Sequence, residues 1–380
     1  RYLSQWGHQV AIIGPDEPPN HQTHDGVFGS HYDQGRLTRQ LGRDPLYSLA
    51  AKQAIANYRM LEEQSGVPFY NPVGMILADR AGLNGRYTGN PAATAAELGV
   101  DYHFYEAGDS GWQAQFPYLA FPEDFAILFE PGPAGYINPR GILQAQLTIA
   151  KKQGAALIAE TAVGVTADDD GVTVQTKEGQ SYRAQKVLVA AGAFTNFCGL
   201  LPRPIPLRIK TETIILARVS DQTAAELKEM PTIIYEIDDP EIDDIYVAPP
   251  ILYPDGRYYV KMGCNTAADQ WPTTLEAVQA WFKTGDSDIC KSAMIRALQS
   301  QLPAVVFEAI ESKRCIVCYT PSGAPTIDLV HERIAVAAGG NGSGAKGSDT
   351  WGHLAAGLLV DGRWPDAFPR EPFLAQAADQ

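Results

Sequence analysis

The sequence predicts an α/β protein of two interleaved parts, one of alternating strands and helices and one rich in strands. Three observations carry this. The chain opens on "RYLSQWGHQVAIIG", the end of a helix that runs through a glycine into a β-branched strand. It closes on "RIAVAAGGNGSGAKGSDTWGHLAAGLLVDG", which reads strand, glycine loop, helix. Between them the αβ pattern is interrupted twice by stretches dense in short strands, Pro, Gly and aromatic residues.

Taken in order, Arg1 to Trp6 read as the last turns of a helix, Gly7 as its terminator and His8 to Ile13 as a strand. The polar loop "GPDEPPNHQTHDGVFGSHYDQGR" is too long for a plain connection, which marks it as functional. A helix then follows, with Asp44 as N-cap, Pro45 at its first position, apolar residues from Leu46 to Leu61 and Gly66 as its stop. Residues 67–134 change character, with strands such as "VGMILA". The α/β pattern returns with a helix from Pro139 to Gln153, the strand "ALIAE", a hairpin turning at Asp169 to Gly171, a "KEGQ" turn and the strand "KVLVAAG". From Arg208 to about Glu311 strands dominate again, broken by the helical "TLEAVQAWF" and "KSAMIRALQSQL".

Composition narrows the function. At 380 residues the chain is long enough for two domains, and its 45% hydrophobic content is that of a globular protein. A net charge of −14 repels polyphosphate backbones and anionic lipid surfaces, so neither nucleic acid nor membrane is an expected partner. No apolar run approaches the roughly 20 residues a bilayer requires, and no secretory signal is visible. Five scattered cysteines point to a reducing, cytoplasmic setting. Cys315 and Cys318 form a C-x-x-C, but in the strand-like "RCIVCYT" residues three apart face opposite ways, and no second pair completes a zinc site, so no metal is expected.

Five glycines fall within nine residues from Gly339 to Gly347, bringing backbone close to something. Gly342 to Gly347 match G-x-G-x-x-G literally, with Asp361 downstream, but that acid lies in a helix and not at the end of a second parallel strand, so the dinucleotide fingerprint fails. What remains is a glycine loop feeding a helix N-terminus, whose free N–H groups favour an anionic or electron-rich ligand edge. The plain alternative is a tight, Gly-rich turn.

With these segments in order the chain resembles the FAD-dependent oxidoreductases of the D-amino acid oxidase superfamily, in particular the monomeric sarcosine oxidase and N-methyltryptophan oxidase branch. The resemblance rests on "GSHYDQGRLTR", "GYINPRGILQAQLTIAKKQGAALI", "KVLVAAGAFT", "CYTPSGAPTID" and "IAVAAGGNGSGAKGSDTWGHLAAGLL". It implies a Rossmann-like FAD-binding domain from residues 1–66, 135–205 and 312–380, and a substrate domain on a mixed or antiparallel β-sheet from 67–134 and 206–311. It also implies that the first strand and pyrophosphate-binding turn are missing and that FAD is held weakly by this chain. Where the family carries an acid for the ribose, at the end of the second strand, this sequence has Gly14, with Asp16 and Glu17 slightly later.

The resemblance further implies oxidation of the C–N bond of a small secondary or N-methylated amino acid, with hydride passing to flavin N5, imine hydrolysis, and reoxidation by O2 or another acceptor. Arg39 and Lys346 match the residues that clamp the substrate carboxylate, and Tyr319 borders the pocket. Arg36, three residues before Arg39, matches the partner arginine over the flavin, both reaching one small volume. Ser30, Val163, Ala190, Gly192, Gly340, Gly342 and Gly344 fall with Arg36 and Lys346 at the cofactor positions. Solvated arginines and a core tyrosine are the plain alternatives. The branch tethers its flavin through a Cys two residues before a Tyr-Thr pair; Val317 stands there, leaving Cys315 and Cys318 on either side as candidate attachment points. The oxidases also present a lysine to flavin N5 after a segment like "VKMGCNTAADQWP", and no lysine follows Lys261 until Lys283. The competing reading is a non-catalytic or truncated homologue that keeps the fold as a binding or assembly subunit.

Overall fold

A computed structural model describes residues 1–80 and 90–376. Residues 81–89, within the expected segment 67–134, and 377–380, at the end of the expected segment 312–380, lie outside the described residues.

The helix Pro45–Ser65 begins where its sequence dictates. Asp44 accepts a hydrogen bond from the Leu46 N–H at 2.9 Å, and Gly66 ends it at φ 76°, donating to the Glu62 carbonyl. One stretch of it packs Tyr47 and Ala50 against Leu354 and Leu358 of the helix Ser348–Asp361. The next packs Tyr58 and Leu61 against Ile142 and Ile149 of the helix Pro139–Lys152, which Asn138 caps through the Gly141 N–H at 3.0 Å. The helix Pro45–Ser65 therefore packs on a different helix along each of two successive stretches.

Beside them lie short parallel pairings. Ala11–Ile13 pairs in parallel with Ala156–Ile158. Val187–Val189 pairs in parallel with Ile334–Ala338, which also takes Thr326–His331 antiparallel. A three-stranded antiparallel ribbon, Ala162–Asp168, Gly171–Thr176 and Ser181–Ala184, packs Val165, Val172 and Val174 against Val189 and Ile334.

The second part is an eight-stranded sheet in the order Ala309–Tyr319, Arg208–Val219, Tyr258–Cys264, Ile245–Leu252, Thr232–Tyr235, Met75–Asp79, Ala126–Glu130 and His103–Tyr105. All neighbours are antiparallel except Thr232–Tyr235 beside Met75–Asp79. The expected boundary at 312 falls inside the first of these strands, which runs on to Tyr319. Two helices, Pro91–Leu98 and Asp221–Glu226, interrupt stretches whose Pro and Gly content had suggested strands and turns; Asn90 and Ser220 cap them by accepting from Ala93 and Thr223 N–H. Among the described residues, no helix is long and apolar enough to cross a membrane.

Period two divides the large sheet. Ile215, Ala217, Val260, Met262 and Val247 share one face with Met294 and Leu298 of the helix Lys291–Gln301, forming the largest core. The pairings Glu212 with Cys315, Lys210 with Val317, Leu216 with Lys261, and Gly263 with Tyr246 put those residues on the other face. That polar face looks toward the glycine loop.

Candidate active site

The glycine loop is pinned by a residue the sequence reading passed over. Asn341, at φ 50°, donates its backbone N–H to the Cys318 carbonyl at 2.9 Å and accepts from the Thr320 N–H at 2.8 Å. Its side-chain amide also donates to Tyr47 Oη at 3.0 Å and to the Gly339 carbonyl at 2.8 Å. The only local signal was an Asn-Gly dipeptide. So stapled, the loop folds back on itself: a methyl group on Gly344 would stand 2.8 Å from the Gly340 Cα. Gly342, at φ 73°, has an open side, where a methyl group would find only Val317 Cγ1 at 3.8 Å.

Lys346 follows the loop and meets Arg39. A methyl group on Gly42 would lie 3.7 Å from both Arg39 Nη2 and Lys346 Nζ. Glu130, at the end of its strand, accepts the N–H groups of Gln40 and Leu41 at 2.9 Å each and supplies the nearest negative charge. Burial pushes Arg39 down to about 10, against the pull of Glu130. Burial and then the Arg39 charge push Lys346 well below an ordinary lysine. The buried Arg39 Nε has no hydrogen-bond partner. Two basic side chains thus stand against one carboxylate with a donor left over, an arrangement that favours a further negative charge.

Arg36 goes elsewhere. "GRLTR", expected as a loop or first turn, is a strand Arg36–Thr38 paired with Gly135–Ile137, so residues three apart diverge and the two arginines do not share one volume. Arg36 binds Asp33 and the Ser30 carbonyl, the latter at 3.2 Å, which places Ser30 in this second cluster. Asp33 also accepts from Tyr253 Oη at 2.8 Å and from Lys261 Nζ at 2.6 Å. Lys261 is 0% exposed and also donates to the Gly35 carbonyl at 2.9 Å. Burial, then the Arg36 charge, push its pKa well below the usual lysine range. The expectation of a lysine falls beyond Lys261, whereas the buried ammonium here is Lys261 itself, whose one signal in the sequence is a lone cation in the apolar strand "YYVKMGC".

Cys315 lies on the polar face near Arg36, Glu212 and Lys261, and burial raises its thiol pKa. Cys318 lies on the opposite face beside Ile209, buried, its thiol pushed up to about 12. Tyr319 is half-buried, its ring 5.9 Å from Trp271, which in turn carries the Arg208 guanidinium at 4.1 Å. Ala190 and Gly192 follow the carboxyl end of Val187–Val189, the same end from which the glycine loop leaves Ile334–Ala338. Val163 is 36% exposed at the start of the neighbouring ribbon. Glu17 is engaged with Arg140 at 2.5 and 2.7 Å.

The model of the family described as FAD dependent oxidoreductase matches residues 1–358. The chain belongs to this family. Among relatives of this FAD-dependent oxidoreductase, monomeric sarcosine oxidase of Bacillus sp. (strain NS-129) is 22% identical over 370 residues, covering 95% of this chain and 89% of its own. N-methyl-L-tryptophan oxidase of Citrobacter koseri is 26% identical over 197 residues, 51% of this chain and 50% of its own. Two solved structures share the fold. NikD, an unusual amino acid oxidase essential for nikkomycin biosynthesis, superposes with a TM-score of 0.76 at 21% identity, covering 100% of this chain and 94% of its own. Iminodiacetate oxidase from Chelativorans sp. BNC1 gives 0.67 at 19% identity, covering 100% and 96%.

The residues present suit FAD. The Gly340–Gly344 turn, three of whose five residues are glycine, opens at Gly342 toward the polar sheet face, and parallel strands deliver Ala190, Gly192 and the glycine loop to one end, where α/β folds take ligands.

Proposed function

We propose that this FAD-dependent oxidoreductase oxidises the C–N bond of a small secondary or N-methylated amino acid. The observation that carries the reading is the convergence of Arg39 and Lys346 on Gly42. A substrate carboxylate about 4 Å from one such cation gains on the order of 4 kcal/mol at an effective dielectric near 20, before desolvation. Glu130 holds part of that field without cancelling it. The relatives named for sarcosine and N-methyl-L-tryptophan support an N-alkylated amino acid as the class.

FAD, when bound, supplies the hydride acceptor. We assign its holding to Ser30, Arg36, Val163, Ala190, Gly192, Gly340, Gly342, Gly344 and Lys346, on residues 1–66, 135–205 and the segment after Tyr319; the large sheet supplies the substrate side. Arg39 and Lys346 fix the carboxylate, Tyr319 borders the pocket, and the closed Asp33–Lys261–Arg36 network keeps the opposite wall rigid and dry. The substrate must carry a neutral nitrogen, because an ammonium has no lone pair to drive hydride loss. The imine so formed hydrolyses in water.

The test is an anaerobic screen of N-methyl and cyclic amino acids on FAD-loaded protein, following loss of the flavin band near about 450 nm. Bleaching by N-alkyl α-amino acids, and not by the matching amines that lack a carboxylate, is the expected result. No bleaching by any of them would overturn the reading in favour of a non-catalytic homologue.

A further inference from the structure

We propose that Glu130 is a positioning residue for the substrate carboxylate: it sets Arg39 in place through the two peptide groups that follow that residue, and its charge keeps Lys346 protonated. The inference rests on the carboxylate binding proposed above. Glu130 ends the strand Ala126–Glu130, is 1% exposed and pairs with Met75, so it belongs to the large sheet. Arg39 follows the strand Arg36–Thr38, and Lys346 follows the glycine loop. One Glu130 oxygen accepts from the Gln40 N–H and the other from the Leu41 N–H, at 2.9 Å each. Those two residues are the ones between Arg39 and Gly42, where the guanidinium and ammonium tips converge.

The direction of the carboxylate decides what it does. In a bidentate pair with a guanidinium it would take up the donors that an incoming anion needs. Here both oxygens are turned to the backbone, and among the described residues Arg39 and Lys346 interact with Glu130 through charge and not through a hydrogen bond. Arg39 Nε is left without a partner, and a methyl group on Gly42 meets nothing closer than 3.6 Å. Glu130 therefore compensates positive charge while leaving the donors to the substrate.

Lys346 depends on that compensation. It is 3% exposed, and the groups facing it are Arg39, Glu130, Asp44 and the ring of Tyr47 at 5.8 Å, with the Tyr58 hydroxyl on its carbonyl at 2.9 Å. Burial and then Arg39 drive its proton off; Glu130 and then Asp44 hold it on. Asp44 is exposed and caps a helix through the Leu46 N–H, so water screens it, whereas Glu130 acts from inside the protein. Burial raises the pKa of Glu130 itself, opposed by the two peptide donors and then by Arg39; Tyr70 is a further titratable group that it faces. Leu41 is buried among Met75, Leu77 and Leu128, which gives this segment an apolar anchor separate from the carboxylate.

The test measures binding of methoxyacetate, a carboxylate without a titratable nitrogen, to FAD-loaded protein by calorimetry from pH 6 to 9.5. Wild-type affinity is expected to be level and then to fall about tenfold per unit above the ionisation of Lys346, with about one proton taken from solvent per anion bound on that limb. Glu130→Gln keeps size and one acceptor but not the charge, and its limb is expected to begin about 1 pH unit lower or more. Glu130→Asp keeps the charge but is one methylene too short to reach both N–H groups. Its limb should lie within about half a unit of wild type while its affinity at pH 7 falls about tenfold. Superimposable profiles of wild type and Glu130→Gln overturn the charge role, and wild-type affinity at pH 7 in Glu130→Asp overturns the positioning role. Should Glu130→Gln not fold, a limb in Glu130→Asp displaced as far as about 1 unit counts against the charge role in its place. A wild type that binds methoxyacetate, with unshifted variants, sinks Glu130 alone; a wild type that binds none at any pH sinks the carboxylate site and the function built on it.

Discussion

Arg39 and Lys346, from opposite ends of the chain, bring their charged tips to equal distances from the space above Gly42, 3.7 Å from a methyl group placed there. Neither charge would be retained in that position without a gain elsewhere, since burial pushes both toward their neutral forms.

The first prediction follows from that pair. Lys346→Met is expected to weaken binding of a carboxylate substrate by about 30- to 700-fold, equivalent to about 2–4 kcal/mol. A flavin difference titration with methoxyacetate reads the change. Arg39→Met added to it should cost less than the sum of the two, because both act on one anion.

Gly42→Ala isolates the space itself. Its methyl group meets nothing closer than 3.6 Å, so melting temperature is expected to stay near wild type. The carboxylate affinity should fall, because the methyl group occupies the volume between the cations. Wild-type affinity in a folded Gly42→Ala would remove the anion from this pocket.

Gly344→Ala tests the loop. A Cβ there would stand 2.8 Å from the Gly340 Cα, backbone against backbone, so the turn must open. A loss of about 1–3 kcal/mol in stability is expected, together with a fall in the flavin retained after gel filtration. Thermal melts and the visible spectrum check the two parts separately.

Asp349 carries a pH-dependent share of stability. It accepts from Arg1 at 2.7 Å, Tyr2 at 2.8 Å, Asn57 at 2.9 Å and Gln146 at 2.7 Å. Burial opposes its charge, but Arg1 and these donors outweigh it and hold the pKa below 3.8. A depressed acid stabilises the fold above its unfolded value, and that contribution is lost as pH falls through the folded one. Melting curves from pH 6 to 3 should therefore converge for wild type and Asp349→Asn at the acid end. At pH 7 the variant should lie lower by on the order of 3 kcal/mol.

Thiol labelling checks the burial pattern. Cys198 is exposed, whereas Cys264, Cys290 and Cys318 are buried with raised pKa values. One fast-reacting thiol in native protein is expected, and early modification of Cys318 would contradict the assignment of its face.

Much of this protein is determined by its sequence alone, because the relevant forces act over a few residues. Asp44, Pro45 and Gly66 bound their helix by capping chemistry, and Gly339 to Gly347 announce close backbone approach. The tertiary structure decided what depends on pairing. "GRLTR" became a strand only by bonding to Gly135–Ile137, and that separated Arg36 from Arg39. Lys261 and Glu212 acquired a common face only when the strands carrying them aligned with Arg208–Val219 and Ala309–Tyr319. Local propensity specifies where elements begin and end, but the meeting of charges hundreds of residues apart is set by strand register and by packing, which no short window of sequence contains.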